Sequence, residues 1–149
     1  MQEFWTLPPE HSYKVNVDGA VFAHIQQAGV VVVIRNHKGK VTAAMSKRIH
    51  QVLGPLEIEA KAMEEGISFA CDVGIREVVL ECDSKIVFDA LMGSCVPPVT
   101  ISNILEGIGQ KLLAFQLAWV SHVKRQGNKT RHILEKYAKE VDNSDCFVT

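Results

Sequence analysis

From Tyr13 to Asp18 the chain alternates apolar with polar side chains, Tyr13-Lys14-Val15-Asn16-Val17-Asp18, the period-2 pattern of a half-buried strand. The next apolar run, Gly29 to Arg35, is almost unbroken valine and isoleucine. Asn36-His37-Lys38-Gly39 then supplies turn residues before a further strand over Lys40 to Met45, which predicts a hairpin. Pro55 suits a first helical turn, and apolar or small residues at 62, 63, 66, 67 and 70 carry a helix from Leu56 to Val73, ending near Gly74. Glu77 to Cys82 reads as a short strand, Asp83-Ser84 as a helix start, and Lys85 to Met92 as a brief helix closed by Gly93. Beyond a break at Pro97-Pro98, helical spacing runs from Ile101 to Leu113, strand character from Phe115 to Val120, and a last helix from Asn128 to Val141.

With the two helical stretches between the fourth and fifth strands taken as one crossover, the order is βββαβαβα. Strands one to three form an antiparallel meander, and a strand reached through a helix returns parallel with a right-handed crossover, which places strand four beside strand one. The expected fold is α/β, a mixed five-stranded sheet with strands four and five parallel to the first and helices on both faces. Residues 1–12 read as an extended lead-in, 13–141 as the domain and 142–149 as a tail, with no internal repeat or low-complexity tract.

The helix from Pro55 holds several glutamates, and 100° per residue sorts them. Ala62, Met63, Gly66, Ile67 and Ala70 lie within roughly 80° of Glu59, whereas Glu57, Glu64 and Glu65 fall on the other side. A carboxylate on a packed face calls for a cation or donors to meet it. Asp18 and Asp83 close two parallel neighbours at one sheet edge, where open α/β sheets form their ligand crevice. Each also has an ordinary reading: Asp18-Gly19 as a turn, Asp83-Ser84 as a helix cap, Glu59 as a boundary residue whose head reaches water. Their convergence favours a shared site, because carboxylates on one rim repel unless a divalent ion compensates, and oxygen-only ligation suits Mg²⁺ or Mn²⁺. Such ions support phosphodiester hydrolysis.

The chain has 149 residues and a formal net charge of −1, so no global basic field draws in nucleic acid. A local strip, Lys124, Arg125, Lys129, Arg131, Lys136 and Lys139, can contact phosphates or simply form a solvated helix face. The four cysteines show no C-x-x-C pair, which points to reduced thiols in a cytoplasmic or nuclear setting, and no apolar stretch suits a membrane span.

Lys14-Val15-Asn16-Val17-Asp18-Gly19-Ala20, Glu59-Ala60-Lys61-Ala62 and Glu81-Cys82-Asp83-Ser84 together resemble the type 1 ribonuclease H superfamily, over about Trp5 to Ala138. The likeness is closest to the plant, reverse-transcriptase-associated branch of ribonuclease H-like domains, where a Trp and a Pro-Pro pair precede the first strand as Trp5, Pro8 and Pro9 do. The resemblance implies that Asp18, Glu59 and Asp83 hold two Mg²⁺ ions, with Mn²⁺ able to substitute. It aligns His122 with a mobile-loop histidine that assists water positioning or product release. A fourth carboxylate, four residues after the Asn aligned with Asn128, is replaced here by His132, a poor ligand for hard Mg²⁺ that Mn²⁺ tolerates better. Gly19, Ala20, Ser84, Lys85, Lys124, Arg125, Asn128 and Lys129 are the implied nucleic-acid contacts.

The expected activity is metal-dependent endonucleolytic cleavage of the RNA strand of an RNA–DNA hybrid by a monomeric domain, with double-stranded RNA a further candidate partner. The rival expectation is a domesticated domain of weak or no activity that binds nucleic acid or acts as an interaction module.

Overall fold

Valine and isoleucine fill both faces of the second strand because it lies in the middle of a sheet covered on both sides. In the structure, a computed structural model that describes residues 6–22, 27–51, 53–124 and 145–148, Val30 to Ile34 are all buried. The elements are β1 (Tyr13–Phe22), β2 (Gln27–Arg35), β3 (Val41–Ile49), α1 (Pro55–Asp72), β4 (Glu77–Cys82), α2 (Lys85–Leu91), α3 (Val99–Leu112), β5 (Leu117–His122) and β6 (Asp145–Val148). The sheet order is β5-β4-β1-β2-β3-β6. Pairs β1–β4 and β4–β5 are parallel, and β1–β2, β2–β3 and β3–β6 are antiparallel. The five expected strands stand in the expected arrangement.

Three expectations need correcting. β1 does not end at Asp18 but continues to Phe22, because antiparallel pairing with β2 persists to Phe22↔Gln27. Residues 145–148, read as part of a tail, form β6, whose backbone finds partners along Ala43 to Ser46 of β3. Finally, β1 is buried on both faces rather than half-buried: Lys14, Asn16 and Asp18 are as inaccessible as Val15 and Val17. Its alternation separates two buried faces of different chemistry. The last helix expected over 128–141 lies outside the described residues.

α1 begins at Gly54-Pro55, where the Glu57 carboxylate accepts the Gly54 backbone N–H at 3.1 Å, and ends as Ile75 N–H bonds the Ala70 carbonyl and Gly74 turns to φ 86°. Its buried side, including Ile58, Ala62, Met63, Ile67 and Ala70, packs on the sheet face of Val15, Val17 and Leu80. At Gly66 a β-carbon would collide with Val17 Cγ1, so glycine there lets α1 sit directly on β1. α3 covers α1 with Ile101, Leu105 and Ile108, spaced for one helical face.

Candidate active site

The parallel ladder between β1 and β4 has its last pair at Asn16↔Glu81. Since alternate residues share a face, Asp18 and Asp83 are the next same-face positions on their two chains, just past the end of the ladder. Glu59 arrives from the first turns of α1. That approach is possible because Gly19 follows Asp18: a β-carbon on Gly19 would lie 2.7 Å from the Ile58 carbonyl oxygen. The helix therefore rests on bare backbone immediately beside Asp18.

The result is a cluster in which one carboxylate oxygen from each of Asp18, Glu59 and Asp83 lies within 4.8 Å of the others, Asp18 fully buried and the other two half-buried. Asp18 Oδ1, Glu59 Oε2 and Asp83 Oδ2 are each shielded from solvent. Burial pushes the neighbouring Cys82 thiol up to about 12, and the charges of Glu59, Asp83 and Glu81 add to the shift. An all-oxygen donor set at this spacing fits a hard divalent cation, whose ligands at about 2.1 Å stand at most about 4.2 Å apart, within a small rotation of these side chains.

The other glutamates of α1 are engaged elsewhere, as the helical angles predict. Glu64 meets Lys61 at 2.6 Å, a hydrogen bond that raises the Lys61 pKa, and Glu65 meets Lys47 at 3.2 Å.

His122 is placed differently from the mobile loop that the resemblance implies. It is the last residue of β5, only 9% exposed, with Nε2–H donating to the Asp83 carbonyl at 3.2 Å and its ring against Phe88, centroids 5.7 Å apart. These contacts tie it to the backbone that carries Asp83. Ser84 is the N-cap of α2, its Oγ accepting Val87 N–H at 3.4 Å, and exposed Lys85 pairs with Asp89 at 2.9 Å. Gly19 and Ala20 flank the cluster on β1, and Lys124 follows β5 at the same edge. Arg125, Asn128, Lys129 and His132 lie outside the described residues.

A buried polar group next to the cluster escaped the sequence reading. Glu81, 0% exposed, accepts from Asn16 Nδ2 at 2.9 Å and Ser121 Oγ at 2.9 Å, and pairs with Lys14 Nζ at 3.2 Å. The signal was present as the same-face runs Lys14-x-Asn16-x-Asp18 and Glu81-x-Asp83 on strands flanked by apolar sequence. A cavity of about 520 Å³ between His11, Tyr13, Thr42, Arg76 and Gln116 lies at the opposite end of β1 and β4 and has no part in the cluster.

A mixed sheet in this order, with acidic residues from β1, α1 and the turn after β4 at one edge, defines the ribonuclease H-like fold. The family model described as reverse transcriptase-like matches residues 16–138, and the chain belongs to that family, within the type 1 ribonuclease H-like superfamily. No curated protein matches the sequence. Among solved structures, ribonuclease H1 from the halophilic archaeon Halobacterium salinarum superposes with a TM-score of 0.79 at 21% identity, covering 87% of this chain and 98% of that one. The N-terminal RNase H domain of a Mycobacterium tuberculosis protein gives 0.75 at 19% identity, covering 85% and 92%. A compost-derived enzyme, LC11-RNase H1, in complex with an RNA/DNA hybrid gives 0.74 at 19%, covering 85% and 95%.

Proposed function

We propose that the chain is a metal-dependent endonuclease that hydrolyses the RNA strand of RNA–DNA hybrids. The observation that carries this reading is the convergence of Asp18, Glu59 and Asp83 on one point at the sheet edge in a member of this family. That LC11-RNase H1, of the same fold, holds an RNA/DNA hybrid supports the choice of substrate.

Asp18, Glu59 and Asp83 would hold Mg²⁺ or Mn²⁺, two ions in the full mechanism. When bound, such ions supply positive charge that activates water for attack on phosphorus and steadies the leaving 3′-oxygen. The residues themselves have three tasks. Their carboxylates fix the charge in place, buried Asp18 most rigidly. Gly19 lets α1 bring Glu59 to the cluster, and half-buried Ala20 beside it leaves strand backbone for a close approach of the substrate. His122 acts as a positioning residue, holding the Asp83 carbonyl from behind. No side chain forms a covalent intermediate, and the products are a 3′-hydroxyl and a 5′-phosphate.

A second reading, a domain that grips hybrid but cuts slowly, is favoured by one observation, His132 where the family pattern has a carboxylate. One experiment separates the two. A labelled hybrid and a DNA duplex of the same sequence are incubated with the chain in Mg²⁺ and in Mn²⁺, following binding and cleavage, with Asp18→Asn as control. Cleavage confined to the hybrid and lost in Asp18→Asn supports the nuclease, because recognition then follows the 2′-hydroxyl. Binding without cleavage in either metal supports the second reading, and equal cleavage of duplex DNA overturns the proposed substrate.

A further inference from the structure

Asp18 and Asp83 lie beyond the last of the four β1–β4 pairs, so the backbone ladder does not itself set the gap between them. What stands at the end of the ladder is a rung of side chains. Glu81 on β4 is the Cα partner of Asn16 on β1 and of Ser121 on β5, and its carboxylate joins all three strands through its hydrogen bonds to Asn16 and Ser121. Lys14, one same-face step further back on β1, closes the group with its ammonium 3.2 Å from Glu81 Oε2. The same Lys14 Nζ donates to the Thr6 backbone carbonyl and to Thr6 Oγ1 at 3.3 Å, which fixes the lysine from its other side.

We propose that this buried rung is the positioning device for the carboxylate cluster: Glu81 clamps β1, β4 and β5 at the point where the β1–β4 ladder ends, and Lys14 cancels its charge. The inference rests on the reading of the cluster as a metal site. A buried ion pair offers little net stability over a well-packed apolar pair, so its retention calls for a geometric reason. The site supplies one. Asp83 is two residues, about 7 Å, from Glu81, and Asp18 is the same distance from Asn16, so an error in strand spacing at the rung passes directly to the carboxylates. The charge balance matters equally, since an uncompensated Glu81 would place a fourth negative charge beside three that already repel. His122, next in sequence to Ser121, rides on the same clamp through its bond to the Asp83 carbonyl.

The test reads the binding of Mn²⁺ alone, by titration calorimetry on the full chain, together with thermal unfolding. In a Lys14→Met/Glu81→Leu double variant the ion pair becomes an apolar pair of similar volume, so the fold should persist while the clamp is lost. Mn²⁺ affinity should then fall roughly tenfold, as when hydrogen-bond partners of metal ligands are removed. Ser121→Ala removes a single hydrogen bond with no buried charge exposed, and provides the measurement if the double variant fails to fold. Its affinity should drop about threefold, and Ser121→Thr, which restores a hydroxyl, should recover it. A folded variant lacking the rung yet binding Mn²⁺ as tightly as the parental chain overturns the proposal while leaving the metal site intact. If the parental chain itself binds no Mn²⁺, or binds it as well in Asp18→Asn, the metal reading and this inference fall together.

Discussion

Gly19 lies directly beneath Ile58, its hydrogen taking the place of a β-carbon that would stand 2.7 Å from the Ile58 carbonyl oxygen. That contact sets how near α1 can come to β1, and so how near Glu59 comes to Asp18. Gly19→Ala should lift the start of α1, destabilising the fold by about 1–3 kcal/mol, the usual cost of overpacking. Because the lift opens the cluster, hybrid cleavage should fall more steeply than stability alone explains. Denaturant titration beside a cleavage assay checks both. Parental cleavage by a folded Gly19→Ala chain would show that the close approach has no bearing on the site.

Glu59→Gln and Asp83→Asn each keep the shape of the side chain while removing one negative charge from a cluster that repels itself. Cleavage should drop by more than about a hundredfold in each, since even the outer hydrogen-bond partners of metal ligands cost about 10–100-fold. The unfolding temperature in metal-free buffer should stay level or rise. A variant that cuts at the parental rate removes that residue from the ligand set.

Cys82 reports its burial through pH. In the fold its thiol is raised to about 12 from an ordinary 9.0, chiefly by burial. Below pH 9 the thiol is neutral whether the chain is folded or not, and its contribution to stability is full. Above it the unfolded chain ionises first, so stability should decline as pH rises from about 9 toward 12, by up to about 1.4 kcal/mol per pH unit from this group. Denaturant midpoints collected from pH 8 to 11 should fall more gently for Cys82→Ala than for the parental chain. Equal slopes would assign the decline to other groups.

His132 concerns metal choice, argued from donor chemistry alone. An imidazole offers a softer nitrogen and no negative charge, so Mn²⁺ should support faster cleavage than Mg²⁺. His132→Asp should raise the Mg²⁺-supported rate. Brisk parental cleavage in Mg²⁺ with no gain in the variant would place residue 132 outside the site.

Much of the site was legible because its residues sit at positions that local geometry defines. Helical angles single out Glu59 from the neighbouring glutamates, and the order of strands places Asp18 and Asp83 at one edge. What local pattern missed depends on distant partners. Gly19 reads as a turn residue when seen beside Asp18 alone, and only the packing of Ile58 reveals that β1 runs on through it to Phe22. Lys14, Asn16 and Glu81 read as the wet face of a strand, because alternation cannot distinguish water from a second buried layer. β6 depends on β3, about a hundred residues earlier in the chain, which no window of neighbouring residues contains. Ser84 was legible as a helix start, and the structure realises the cap.

The last β1–β4 rung joins residues 65 positions apart, and the site begins only beyond it. Asp18 and Asp83, equally far apart in the chain, meet only when that loop has closed. Their mutual repulsion, and any divalent ion that relieves it, come into play only once β4 has docked beside β1. An ion that interacts with the finished site alone lowers the native state without lowering the barrier that leads to it. In stopped-flow experiments, Mn²⁺ should leave the refolding rate of this chain unchanged and slow its unfolding, making the metal a kinetic lock on a structure the chain has already reached.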